Sequence, residues 1–254
     1  MRDALAAYAN ADGGFGHALE PDGRGPGSQP AATALALRTL DECDAWDDGL
    51  VARACDWLER AAPAEGGAVF VDPSVEGWPH APWWQPEPGL PASAVSTGQI
   101  AGTLHGRGVA HPWLERATEA MWAIVDALES PNAYEMLGVL RFLEHVPDRP
   151  RAAAAFARVG DALLSGGLVA LDPDAPGDAH TPLDYAPAPS SLARPLFDPA
   201  AIAGHLDHLA GAQREDGGWT FGWPAWSPVA EAEWRGSVTV DALVVLRSNG
   251  RLSI

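Results

Sequence analysis

The chain contains no lysine: all 16 of its basic residues are arginine. That absence excludes a Schiff-base amine and a Walker-type phosphate loop, since both need the lysine ammonium. Cysteine is nearly absent as well. Cys43 and Cys55 are too few for a disulfide framework, which agrees with a reducing compartment. No stretch approaches the roughly 18 consecutive apolar residues of a transmembrane helix. The opening residues Met1-Arg2-Asp3-Ala4-Leu5 lack the apolar core of a secretory signal, so a cytoplasmic location is expected. Positive charge is scarce too. Against 16 basic residues stand 34 acidic ones, for a net charge of −18. Such a surface repels nucleic acid and anionic lipid, and nucleic-acid partners are not expected.

What the sequence does contain is a repeat. Hydrophobic residues make up 47% of the 254 residues, enough for a substantial core. Double-glycine turns fall at Gly13-Gly14, Gly66-Gly67, Gly166-Gly167 and Gly217-Gly218, in steps of 53, 100 and 51 residues. A period near 50 with one missing member accounts for these steps. The outermost pair matches best. Asp12-Gly13-Gly14-Phe15 aligns with Asp216-Gly217-Gly218-Trp219, and Thr33-Ala34-Leu35 with Thr239-Val240-Asp241 about 20 residues further on.

Helical periodicity flanks each turn. First helices are expected near 2–10, 50–62, 112–128, 150–165 and 198–213, and second helices near 30–42, 92–105, 132–146, 188–197 and 236–247. Pro30 and Pro131 stand where a helix would start, and Asp198-Pro199 suits a cap followed by a first position. Pro187 and Pro189 interrupt the fourth unit. Ala68-Val69-Phe70-Val71 is the one short strand-like segment, and Val238-Thr239-Val240 reads as helix because of the repeat. The expected fold is all-α: one domain over 1–254 of about five helix hairpins, whose long loops at 11–29, 63–91, 166–187 and 214–235 share one face.

The segment Gln213-Arg214-Glu215-Asp216-Gly217-Gly218-Trp219 resembles the QW-type repeat of the terpenoid cyclase and protein prenyltransferase superfamily. Asn10-Ala11-Asp12-Gly13-Gly14-Phe15 looks like a second copy without its glutamine. The chain is also similar to bacterial proteins described as prenyltransferase-like. The resemblance implies an α/α toroid around a central cavity for an apolar isoprenoid. It implies fold more than activity. The Asp-x-Asp-Asp acid of class II cyclases is absent, and Asp172-Pro173-Asp174 is only a fragment of it. Asp44-Ala45-Trp46-Asp47-Asp48 does not read as a class I metal motif, and neither cysteine lies in the loop face where a prenyltransferase zinc would sit. Five hairpins are fewer than the usual six. The ring closing with five, remaining a horseshoe, or being completed by a partner chain all stay open.

Chemistry-bearing residues crowd the loops. His17, Glu20, Asp22 and His80 could hold a divalent metal through imidazole and carboxylate, although their spacing matches no zinc signature. Asp172, Asp174, His180 and Asp184 are the acid–base candidates, because a carboxyl among aromatic walls is desolvated and becomes a proton donor. Trp78, Trp83, Trp84, Trp219, Trp223 and Trp226, together with Arg235, are the substrate-binding candidates, and Trp234 joins them in the loop face. Tryptophan can wall an apolar cavity, stabilise a cation or stack on a sugar. The same residues can simply cap helices and pack loops. Arg235 should pair with Glu231, Glu233 or Asp22.

Loop acids outnumber loop arginines, so a prenyl diphosphate fits less well than a neutral ligand. The first reading is therefore an enzyme of cyclase, isomerase or lyase type, acting on an apolar isoprenoid-like neutral molecule by carboxylate chemistry. The alternatives are a carbohydrate-active or carbohydrate-binding α/α barrel, and a non-catalytic binding or scaffold protein.

Overall fold

Side-chain caps and prolines at first positions open most of the helices in the computed structural model, which describes residues 2–175 and 179–252. The helices run as α1 (Arg2–Ala6), α2 (Pro30–Glu42), α3 (Asp48–Ala61), α4 (Ala94–Gly106), α5 (Pro112–Asp126), α6 (Ala133–His145), α7 (Arg149–Ser165), α8 (Pro182–Tyr185), α9 (Pro199–Gly211) and α10 (Pro228–Ser248). Single 3-10 turns lie at Pro73–Val75 and Arg194–Leu196. Among the described residues no strand forms, only the isolated bridges Ala9–Phe15 and Gly23–His80. The strand-like segment at Ala68 is loop: the Ala68 N–H is taken by Thr97 Oγ1 at 2.9 Å, so it is not available to a ladder.

Nine of the ten expected helices form, the last with an earlier start. Asp47, Ser93, His111, Asn132, Asp198 and Ser227 cap α3, α4, α5, α6, α9 and α10 by accepting a backbone N–H from the first turn. Two expectations need correction. The helix expected at 188–197 does not form. Pro187, Pro189 and Pro195 remove backbone donors there, and Thr181-Pro182 instead opens the single-turn α8, with Asp184 completing a capping box. The last helix begins at Pro228, not near 236, because Ser227-Pro228 supplies a cap and a first position that the repeat spacing concealed. Trp234 and Arg235 therefore lie within α10.

The span 1–254 divides into two compact units, Met1–Ala155 and Phe156–Ile254, with the division inside α7. The first unit has two layers. First helices α3 and α5 pack side by side, and second helices α2, α4 and α6 form the other layer. The α4–α6 contact is the most extensive. Gly98 and Gly138 let these two backbones approach so closely that a Cβ on either would strike the other helix's carbonyl oxygens. Fully buried Leu37, Leu40, Leu58, Ile100, Leu104, Trp113, Met121, Met136, Phe142 and Leu143 fill the space between the layers. The second unit packs α8 and α10 on α9, with Leu163, Ile202, Leu206 and Leu246 buried.

The double-glycine turns are not all alike. At Gly13, Gly66 and Gly217 the chain reverses with a positive φ of 98°, 92° and 85°. In each case the residue after the pair donates its N–H to a threonine of the second helix: Phe15 to Thr33 at 3.3 Å, Ala68 to Thr97 at 2.9 Å, and Trp219 to Thr239 at 3.0 Å. Gly166-Gly167 is different. Gly166 N–H continues the ladder to Ala162 O at 2.9 Å, so this pair ends α7 instead of building the turn. The missing member of the series is the short connection at 127–132 between α5 and α6.

Candidate functional site

In the first unit the long loops before α2 and before α4 clasp each other. Arg24 N–H donates to Pro79 O at 2.9 Å, and Ala81 N–H to Asp22 O at 2.7 Å. Gln29 Nε2 donates to Asp72 O at 3.0 Å while Asp72 N–H returns to Gln29 Oε1 at 2.9 Å. Ser74 Oγ donates to Ser28 O at 3.1 Å. Two tryptophans press on this clasp through glycines: a Cβ on Gly23 would lie 2.6 Å from Trp84, and one on Gly25 would lie 3.1 Å from Trp78. Trp84 is buried, whereas Trp78 and Trp83 are 48% and 47% exposed. Packing explains Trp84. It leaves exposed surface on the other two.

The clasp also uses the residues expected to bind a metal. Asp22 Oδ2 accepts from Trp83 Nε1 at 2.7 Å, and Glu20 Oε2 accepts from Asp22 N–H at 2.9 Å. His17 Nε2 lies 2.8 Å from Asn10 Oδ1, and His80 Nδ1 lies 2.7 Å from Trp78 O. Among the described residues no group of three or more histidine, cysteine or acidic side chains is placed to hold a metal ion. In the expected set His17, Glu20, Asp22 and His80, each side chain is turned to a nearby backbone or side-chain partner. His17 and Ala18 adopt left-handed backbone, with φ of 54° and 60°, a local strain that these bonds sustain.

The acid–base candidates lie in the second unit. Asp172 Oδ1 accepts from Asp174 N–H at 3.0 Å and closes a turn. Asp174 Oδ1 lies 3.3 Å from His208 Nδ1, with 82% of the aspartate side chain exposed. Asp184 Oδ2 accepts from Thr181 N–H at 2.6 Å and from Thr181 Oγ1 at 2.8 Å, the reciprocal half of the cap on α8. The His180 ring stands 6.0 Å from that of Tyr185, whose hydroxyl donates to Leu168 O at 2.9 Å. Burial, with the Asp184 charge, raises the Tyr185 phenol above its ordinary range.

Other tryptophans of the second unit pack on their own neighbours. Trp219 is buried and donates Nε1–H to Leu209 O at 2.7 Å. Phe221 and Trp223 stack at 4.3 Å, and Trp223 meets Trp234 edge-on at 5.9 Å. Trp226 is half-buried. The Arg235 guanidinium meets an acid that was not among the expected ones: its Nη2 donates to Asp216 Oδ2 at 2.7 Å. The guanidinium, with Gly218 N–H, holds the Asp216 carboxyl below its usual range.

A groove that sequence reasoning missed lies in the first unit where the repeat lacks its turn. Its volume is about 500 Å³, and its walls are Phe70, Leu90–Ala94, Ile124, Ala127–Pro131 and Glu135. Glu129 and Glu135 are its only ionisable lining residues. The gap in the double-glycine series and the apolar run Ile124-Val125 ahead of Ala127-Leu128 were the signals available. Glu135 serves the capping box of α6, donated to by Asn132 N–H at 2.9 Å. At the opposite end of the same helices, burial and the nearby Arg141 guanidinium lower His145 from 6.5 to about 4. Burial, then Asp56, pushes the Cys55 thiol up to about 12, which leaves it unreactive at neutral pH.

No protein-family model matches the sequence, and no curated protein does. Among solved structures, a protein from Actinoplanes known from its crystal structure is similar in fold, with a TM-score of 0.62 at 17% identity, over 98% of this chain and 82% of that one.

Proposed function

We propose that the hairpins belong to an α/α toroid of the terpenoid cyclase and prenyltransferase kind, and that the chain binds an apolar, uncharged, isoprenoid-like molecule in the groove beside Leu128. The observation that carries this reading is the groove's lining. Phe70, Leu90, Ile124, Leu128 and Pro131 offer apolar surface, and no cation lines it. A diphosphate would face Glu129 and Glu135 without compensation, whereas a prenyl alcohol or hydrocarbon would not. The resemblance of the Asp216-Gly217-Gly218-Trp219 turn to the QW repeat supports the same ligand class. A reaction on such a ligand would be of cyclase, isomerase or lyase type, with Glu129 or Glu135 as the groove's acid.

Displacement of an environment-sensitive apolar dye tests this reading. Farnesol should displace the dye and farnesyl diphosphate should do so at least tenfold more weakly. Leu128→Arg should abolish both effects. Failure of any prenol to displace the dye, or an unchanged titration in Leu128→Arg, would overturn it. The exposed faces of Trp78 and Trp83 favour a second reading, a glycan stacked on the clasp. Tryptophan quenching by soluble oligosaccharides, lost in Trp83→Ala and retained in Leu128→Arg, would select it.

A further inference from the structure

The groove beside Leu128 is lined by two carboxylates, and their bonds set them apart. Glu135 is committed. Its Oε2 accepts from Asn132 N–H at 2.9 Å, its own N–H donates to Asn132 Oδ1 at 3.0 Å, and the two bonds close the capping box of α6. It also stands in the first turn of α6, where the positive end of the helix offsets its charge. Glu129 is uncommitted. Among the described residues it makes no hydrogen bond or ion pair, and it is exposed at the rim. The carbonyls of Ile124, Ala127 and Leu128 likewise accept no hydrogen bond among the described residues, as the C-terminal end of a helix leaves them. Ile124, Ala127, Leu128 and Glu129 all line the groove, so unpaired acceptors gather in this corner, the Glu129 carboxylate foremost. Phe70, Leu90, Pro91 and buried Ala94 supply apolar lining from the chain before α4 and from its start.

On the groove reading above, on which this step rests, we infer that the ligand is an alcohol and not a hydrocarbon. Its hydroxyl donates to Glu129 at the rim, and its apolar chain lies along Leu128 among Phe70 and Leu90. Glu129, and not Glu135, is then the residue that fixes the ligand's orientation. An ionised carboxylate can only accept, so the head group must bring the proton of the hydrogen bond. A bond to a charged acceptor is stronger than one between neutral groups, which makes the hydroxyl a criterion of selection. A hydrocarbon would press on Glu129 without offering a donor, and an ether would set its lone pairs against the carboxylate oxygens. Water still reaches the exposed rim, so the head keeps part of its hydration while the chain loses contact with water.

Competition of farnesol and farnesyl methyl ether for the bound dye tests this assignment, because the ether lacks the donor. In the wild type farnesol should displace the dye at a concentration roughly tenfold lower than the ether. Glu129→Leu should bring the two within about twofold of each other, chiefly by weakening farnesol. The dye's own affinity and the circular dichroism spectrum should be unchanged in that variant, which separates a lost bond from damage to the fold. Glu135→Gln, whose amide oxygen can still accept in the capping box, should keep the preference for the alcohol. Equal displacement by the two compounds in the wild type would overturn the assignment and leave the groove reading standing. So would a preference that survives Glu129→Leu, or one that disappears in Glu135→Gln. Displacement by neither compound would overturn both.

Discussion

The turns at Gly13 and Gly217 are built from the same bonds and sit in opposite surroundings. In the first, Gly13 N–H reaches Asn10 O at 3.0 Å, Asn10 N–H reaches Gly14 O at 2.9 Å, and Gly14 N–H reaches Asp12 Oδ1 at 2.9 Å. In the second, the matching bonds are Gly217 to Arg214 at 2.9 Å, Arg214 to Gly218 at 2.9 Å, and Gly218 to Asp216 at 3.1 Å. Yet Gly13 is buried beneath the Arg53 carbonyl of α3, and Arg60 donates to Asp12 O. Gly66 lies likewise under α5, with Arg116 O 2.9 Å from its Cβ position. Gly217 has nothing within 4 Å. Local sequence dictates the turn. The helix of the next hairpin covers Gly13 and Gly66, and no described residue comes within 4 Å of a Cβ at Gly217.

The largest expected effect breaks this comparison at the glycines. Gly13→Ala combines left-handed backbone with a collision against α3, and should cost roughly 3–5 kcal/mol in denaturant unfolding. Gly217→Ala meets only the backbone penalty, about 1–2 kcal/mol. Equal losses would show that cover does not distinguish the two turns. Next come the threonines. Thr97→Val strands the buried Ala68 N–H and should cost about 2–3 kcal/mol, whereas Thr239→Val, beneath an open rim, should cost about 1 kcal/mol.

A smaller effect separates the units by pH. His145 titrates near 6.5 when unfolded and near 4 when folded. Between those values the unfolded chain binds more protons, so the first unit loses stability as pH falls through that window. Burial lowers His105 in the same direction. The unfolding midpoint of the first unit should therefore fall on acidification from pH 6.5 toward 4, and His145→Gln should flatten the fall. Least affected should be Ala18→Gly, a gain of about 1 kcal/mol from relieved left-handed strain.

Much of the fold was legible because its signals are local. Asp198-Pro199 and the Pro30 start are self-contained, and the first and last turns announce themselves through Asp-Gly-Gly and a threonine further along. Ser227-Pro228 carried the same kind of signal, but the period of the repeat drew the boundary to 236. Gly166-Gly167 misled for the opposite reason: a double glycine serves equally as a helix stop. The site was less legible. Which acid Arg235 meets depends on the packing of α10 against the preceding turn, and the partner of Asp22 depends on two loops some 60 residues apart in sequence. The groove arises from an omission in the repeat, and an omission leaves no motif.

Amide hydrogen exchange at Phe15 and Trp219 tests the central claim most directly. Each amide is compared with a buried leucine of its own unit, Leu104 or Leu246. Phe15 should exchange as slowly as Leu104, because its turn opens only with the whole unit. Trp219 should exchange much faster than Leu246, through local opening of an uncovered turn. A Trp219 amide as protected as Leu246 would contradict the account.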